Sequence, residues 1–165
     1  MNQLAHDLAR LLVRELEGFR REIELFPDEA SMWRTMPGVA NSAGNLAFHV
    51  AGNLQHYVGA VLGRSGYVRD RDAEFNRRSG SRAECLAQID AAIKAVRDVL
   101  PGISSARFDE PYPEQVMGTN VRTGFFLCHL ASHAAFHLGQ AGYLRRALTG
   151  DARTSGAVPV RVLAE

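Results

Sequence analysis

The chain has 165 residues, 46% of them hydrophobic and 22% charged, with a formal net charge of +1. This is globular composition with enough apolar material for a core, and the near-neutral balance, with arginines scattered rather than in a run, does not suggest the clustered basic face on which nucleic-acid binding rests. No window approaches the roughly 18 uninterrupted apolar residues of a membrane helix. The opening MNQLAHDLAR, with an acidic Asp7, lacks the basic leader and apolar stretch of a signal peptide. A cytoplasmic protein is expected, with neither membrane nor nucleic acid as partner, and the length fits one domain over 1–165.

The first predicted helix runs from about Asn2 to Phe26, with Leu4, Leu8, Leu11, Leu12, Phe19, Ile23 and Phe26 at helical spacing. Pro27 ends it, because proline disfavours helix at the residue before it. A connection containing Trp33 follows. Asn41 or Ser42 can cap a second helix that continues to about Leu62 and stops at Gly63 and Gly66. The stretch Arg64–Arg78, interrupted by Asp70, Asp72 and Glu74, reads as a solvated connection. Ser81 and Glu84 have capping-box spacing and open a third helix that presents Cys85, Leu86, Ile89, Ile93, Val96 and Leu100 inward, closed by Pro101-Gly102. A loop rich in Gly and Pro reaches about Gly118. The fourth helix starts near 119–122 and continues to about Leu148, with Gly150 as its stop. The last fifteen residues read either as an irregular tail or as a short strand over 158–163.

Four apolar helices without a strand pattern predict an all-α, four-helix bundle. The long connections 63–80 and 101–118 permit crossovers. Cys85 and Cys128 stand alone on separate helices, with no CxxC, and read as small packed hydrophobes in a reducing compartment.

Five of the six histidines fall on two of these helices. The fourth helix presents His129, His133 and His137 at i, i+4 and i+8, so adjacent pairs can aim two imidazoles at one ion. All three cannot serve one metal, because the outer two are about 12 Å apart along the axis. Spacing leaves the pairs 129/133 and 133/137 both open. The second helix presents His49 and His56 about 10.5 Å apart, of which one can join a site. Gly52, Asn53 and Ala60 on the stripe around them are small and leave room for an ion between facing helices. Three imidazoles with an open position are an arrangement that zinc and related metals use in catalysis. Such a site is expected in the centre of the bundle.

The runs NSAGNLAFHVAGNLQHYVGAVLG (41–63) and CHLASHAAFHLGQAGYLRRAL (128–148) resemble the two signature helices of the DinB/YfiT-like superfamily of four-helix metal-binding proteins, which is distinct from the DNA polymerase sharing the DinB label. The G-N-L-x-x-H and H-x-x-x-H-x-G-Q segments carry the likeness. It implies a divalent metal, zinc or nickel, held by one histidine of the second helix and two of the last. Those positions fall on His49, His133 and His137. The Gly139-Gln140 pair selects the 133/137 register, since in the family G-Q follows the last ligand by two positions. Asn53, His56, His129 and Gln140 are then expected around the ligands as pocket or packing residues, with Tyr57 and Tyr143 as weaker candidates. Ala134 departs from the family, where an acidic residue often follows the first ligand of the pair, and this weakens the case for an acid or base there. The resemblance also implies a homodimer and thiol-dependent transferases and isomerases that use low-molecular-weight thiols, together with some hydrolases.

Glu15 shares the inward side of the first helix with Leu4, Leu8, Leu11 and Phe19, where a carboxylate could orient a ligand imidazole or act as a base; otherwise it is a boundary residue reaching solvent. Two functions follow from the histidines: a metal-dependent enzyme acting on an unknown small molecule, or a non-catalytic metal-binding protein that the ion stabilises.

Overall fold

The computed structural model describes residues 2–155. Four long elements make the bundle: α1 (Gln3–Glu24), α3 (Ala43–Leu54) with its continuation Gln55–Leu62, α5 (Arg82–Val99) and α7 (Thr123–Thr149). Short helices sit in the connections: α2 (Glu29–Met32), α4 (Arg71–Asn76) and α6 (Ser105–Asp109), with a 3₁₀ turn at Leu100–Gly102. Among the described residues there are no strands, only isolated antiparallel bridges Pro111–Arg122 and Val116–Thr119 in the last long connection. The expected strand over 158–163 lies outside the described residues, as does the tail beyond 155.

The helix starts are set by side chains that accept otherwise orphaned backbone N–H groups. Ser42, rather than Asn41, caps α3 and forms a reciprocal box with Asn45; Ser81 and Glu84 do the same for α5. Asn2, Asp28, Asp70 and Ser104 cap α1, α2, α4 and α6. Gly150, at φ 70°, closes α7 in the left-handed conformation.

Helix α1 packs against α5 and α7, and α3 packs against the same two, so α1 and α3 stand diagonally across the ring. Successive long helices α1 and α3 are therefore joined by a crossover, and so are α5 and α7. The apolar stripes meet in one core that includes Leu12, Leu16, Phe19, Leu54, Ile89 and Leu130. Leu4 is half exposed and Leu11 only partly buried: 100° per residue puts both on one flank of the α1 stripe rather than at its centre. Arg145 on α7 is completely buried, donating from Nε to Glu22 Oε2 on α1 at 2.6 Å, while Ser155 N–H donates to Glu22 Oε1 at 2.9 Å. Burying charge is tolerated only when it is paired and hydrogen-bonded, and here the pairing brings residues 151–155 back against α1.

The continuation Gln55–Leu62 is π-helical, with Gly63 N–H reaching back to Val58 O. The wider turn re-aims the positions that follow Leu54. His49 lies opposite His133, and Tyr57 opposite Phe126, so α3 and α7 run antiparallel along their shared seam.

Candidate metal centre

The site is assembled from α3, α7 and the short helix α4. The Ser42–Asn45 box starts α3 nearly two turns before His49, and the Asn45 amide has a second task. Its Nδ2 donates to the carbonyls of Glu74 (2.9 Å) and Arg77 (3.0 Å), fastening α4 across α3. The Phe75 ring then lies 4.6 Å from the His49 ring. The connection 64–78 is mostly exposed, as its charges suggest, with one exception that matters: Glu74 is 5% exposed. Burial is enforced because Asp70 caps a short helix that turns Glu74 inward, where Arg69 neutralises it.

His49 Nε2 is 3.1 Å from His133 Nε2, and His137 Nε2 is 3.2 Å from the same atom. One ligand nitrogen from each of the three rings falls within 4.8 Å of the others. The remaining nitrogens of two rings are engaged elsewhere. His49 Nδ1 lies 3.0 Å from Glu74 Oε2, and His137 Nδ1 lies 2.7 Å from Gln140 Oε1. Both oxygens are acceptors, so both Nδ1 atoms carry the proton and both Nε2 atoms offer lone pairs. Those lone pairs converge on His133 Nε2, which has one in-plane position, occupied by either one proton or one lone pair. Hydrogen bonding can at best share a single proton between two acceptors, whereas a cation among the three satisfies all of them. Nitrogens about 2.0–2.1 Å from a tetrahedral zinc stand a little over 3 Å apart, which fits these separations. The residues present therefore suit a divalent ion.

The electrostatics agree. Burial, with the neighbouring His137, His49, His129 and Arg69 adding repulsion of positive charge, holds His133 down to about 3. Burial also lowers His137, against a smaller opposing effect of its hydrogen bond with Gln140. Burial pushes Glu74 up, but hydrogen bonds from Arg69 and His49 outweigh it and leave the carboxyl below its ordinary range. Imidazoles kept neutral beside an ionised carboxylate are in the state a metal requires.

His49 is buried, while His133 and His137 are only partly so. The group stands on the flank of the bundle where α3 and α7 meet, not in its apolar centre, because the core-facing positions of α7 are Leu130, Ala134, Leu138 and Ala141. Ala134 faces that core and offers no acid or base to the group. Of the supporting residues expected from the sequence, Gln140 holds His137. His129 stacks on Phe126 at 5.9 Å, and its ring is 5.9 Å from that of His133. Asn53 is buried on the His49 side of α3, with Oδ1 lacking a partner. His56, in the π-helical segment, pairs through Nε2 with Glu114 at 2.9 Å. Glu15 is buried but neither orients an imidazole nor reaches solvent: it accepts from Arg14 Nε (3.0 Å) and Nη2 (2.6 Å). The carboxylate on a candidate ligand is Glu74. Tyr57 packs on Phe126 and accepts through its carbonyl from Tyr112 OH, and Tyr143 is exposed.

Two apolar grooves flank the group along α7. One, of about 480 Å³, reaches Gln140 and is walled by Met36, Val39, Leu46 and Tyr143. The other, of about 460 Å³, reaches His129 and is walled by Met117, Phe125 and Phe126.

With this geometry in place, the match to known proteins is informative. Residues 11–141 match the family model of the DinB superfamily. The chain belongs to the DinB superfamily. The matched span takes in α3, α4 and most of α7, so all three imidazoles of this DinB member lie within it. No curated protein matches the chain. Sequence reasoning did not find Glu74 and Arg69. The signal available was weak, an Asp70 cap followed by Glu74-Phe75, with nothing to fix its position against α3.

Proposed function

We propose that the chain is a divalent-metal protein in which His49, His133 and His137 are the ligands, and that it is a metal-dependent enzyme of the thiol-dependent transferase, isomerase or hydrolase type. The observation that carries the metal reading is the convergence of the Nε2 atoms while oxygens of Glu74 and Gln140 lie against the Nδ1 atoms of His49 and His137. Imidazole donors suit zinc and nickel. A bound ion supplies Lewis acidity toward a carbonyl and favours ionisation of a bound water or thiol. The protein's own contribution is to keep His133 and His137 neutral, hold His49 and His137 by their far nitrogens, and leave one side open.

Partial exposure of His133 and His137 between two apolar grooves supports an open coordination position and a small-molecule substrate with apolar parts. An ion serving only to stabilise the fold would instead be closed off by a fourth protein ligand. The two cysteines, neither in a disulfide, support a reducing, cytoplasmic setting. The net charge of +1 supports a partner other than nucleic acid.

A homodimer is part of this reading. From Thr123 to Leu144, α7 carries no charged residue, yet Phe125, Phe136 and Tyr143 are exposed. A surface helix ordinarily carries charge on its outer face, and this one offers a second copy an apolar surface with Arg146, over the Tyr143 ring, at its end.

Elemental analysis of the purified protein beside His49→Ala and His133→Ala tests the centre. The wild type should hold about one zinc or nickel per chain, and each variant should lose most of it. Metal retained in full by both variants would overturn the assignment. A chelated protein that stays folded supports catalysis over a structural ion, and thiol-transfer assays with several low-molecular-weight thiols then test the reaction class.

A further inference from the structure

We propose that Glu74, held by Arg69 and by the Asn45 anchor on α4, is the positioning residue that fixes His49 in its Nδ1–H form and thereby sets the site's affinity for a divalent cation. The inference rests on the metal reading above and gives the 64–78 connection a role that its sequence does not announce.

Four observations carry it. Glu74 is 5% exposed and accepts from His49 Nδ1 at 3.0 Å. Arg69 binds both carboxylate oxygens, Nε to Oε1 and Nη2 to Oε2, each at 2.7 Å. This is a two-pronged grip that fixes the plane of the carboxylate as well as its charge. Asn45 holds the Glu74 carbonyl, so the backbone carrying the carboxylate is fixed to the helix carrying the imidazole. Finally, Gly52 lies against the carboxylate: a Cβ there would overlap Glu74 Oε1, so glycine at this position is what admits the acid. In the motif G-N-L-x-x-H, Asn45 and His49 are then parts of one device.

The choice of tautomer is the physical link. A free imidazole exchanges its proton between two nitrogens, and only the form with a bare Nε2 can ligate at this geometry. Arg69 Nη2 also approaches His49 Nδ1, at 3.2 Å. It has only protons to offer, and acting alone it would favour the opposite, non-ligating form. The ionised carboxylate outcompetes it, which makes Glu74 the deciding group. Partners of this kind typically contribute about 10- to 100-fold in metal affinity.

The test compares wild type, Glu74→Ala, Glu74→Gln and Gly52→Ala. Zinc and nickel affinities come from competition with a chromophoric chelator, and the His49 tautomer in metal-free protein from long-range ¹H–¹⁵N spectra. Far-UV circular dichroism confirms folding. Glu74→Ala should weaken zinc binding by about 10- to 100-fold, and His49 should lose its preference for Nδ1–H. Glu74→Gln, which keeps an acceptor oxygen, should lose less. Gly52→Ala should also weaken binding, although it retains every ligand and the carboxylate. A folded Glu74→Ala with wild-type affinity, or with His49 still in the Nδ1–H form, overturns the proposal. If Glu74→Ala does not fold, Glu74→Gln and Gly52→Ala decide in its place, and wild-type affinity in both overturns it equally. Should wild type itself bind neither ion, the metal reading falls and the affinity claim falls with it, while the tautomer comparison separately decides whether Glu74 orients His49.

Discussion

Two imidazole nitrogens stand within 3.2 Å of His133 Nε2, and the cost of charging His133 or His137 appears in their acid–base behaviour. In metal-free protein the folded state keeps His133 neutral down to about 3, and His137 is lowered as well. The unfolded chain takes up both protons near 6.5. Between those limits the unfolded state binds more protons, so stability is complete above about pH 6.5 and declines as pH falls toward 3. The urea midpoint of chelated protein should be level from pH 8 to 7 and drop between 7 and 5, before carboxylates contribute much. A midpoint unchanged over 7 to 5 would contradict the partly buried, neutral state of these residues. Of this group, the sequence made the histidines legible because i, i+4 spacing on one helix is a short-range property. Glu74 was not legible, because its partner His49 lies 25 residues earlier and only the docking of α4 joins them.

Among the elements, the long helices could be read from periodicity and caps: α5 starts at the Ser81–Glu84 box and α7 stops at Gly150. The short helices α2, α4 and α6 could not, since one or two turns hold too few positions to establish a period, and tertiary contacts stabilise them. Trp33 shows how such contacts work, donating from Nε1 to the Gly80 carbonyl at 2.8 Å and so tying two connections together. The helix α6 is fixed similarly: Phe108 lies against Gly124, where a Cβ would overlap the ring. Gly124→Ala should therefore destabilise the protein by about 1–3 kcal/mol through overpacking. This is opposite in sign to the gain of about 1 kcal/mol expected for an exposed helical glycine. Thermal or urea unfolding distinguishes the two signs. The π-helical stretch Gln55–Leu62 was hidden for a different reason. Nothing in the run Gln55–Leu62 marks a widened turn, and within it His56 pairs with Glu114 rather than with the imidazole group.

For the whole molecule, the bundle class followed from four apolar stripes, while the diagonal placement of α1 and α3 followed from nothing local. Loop length permits a crossover without requiring one. The uncharged outer face of α7 belongs to this scale, because it has a function only if something covers it. Phe136 is 62% exposed at the middle of that face, so Phe136→Glu places a charge there without disturbing the core. If α7 is the dimer contact, light scattering should give a dimer for wild type and a monomer for the variant, both folded and with equal metal content. A monomeric wild type would rule out the homodimer.

His49 and His133 are 84 residues apart in sequence, on helices that meet only once the bundle is assembled. An ion bound to that pair would bridge two helices that must dock before its ligands converge, a non-local contact whose loop-closure entropy has to be met first. Its stabilisation would then be absent from the folding barrier and present in the native basin, falling on the escape rate rather than the arrival rate. The centre would act as a clasp on a finished structure, governing how long the native state lasts and not how quickly it forms.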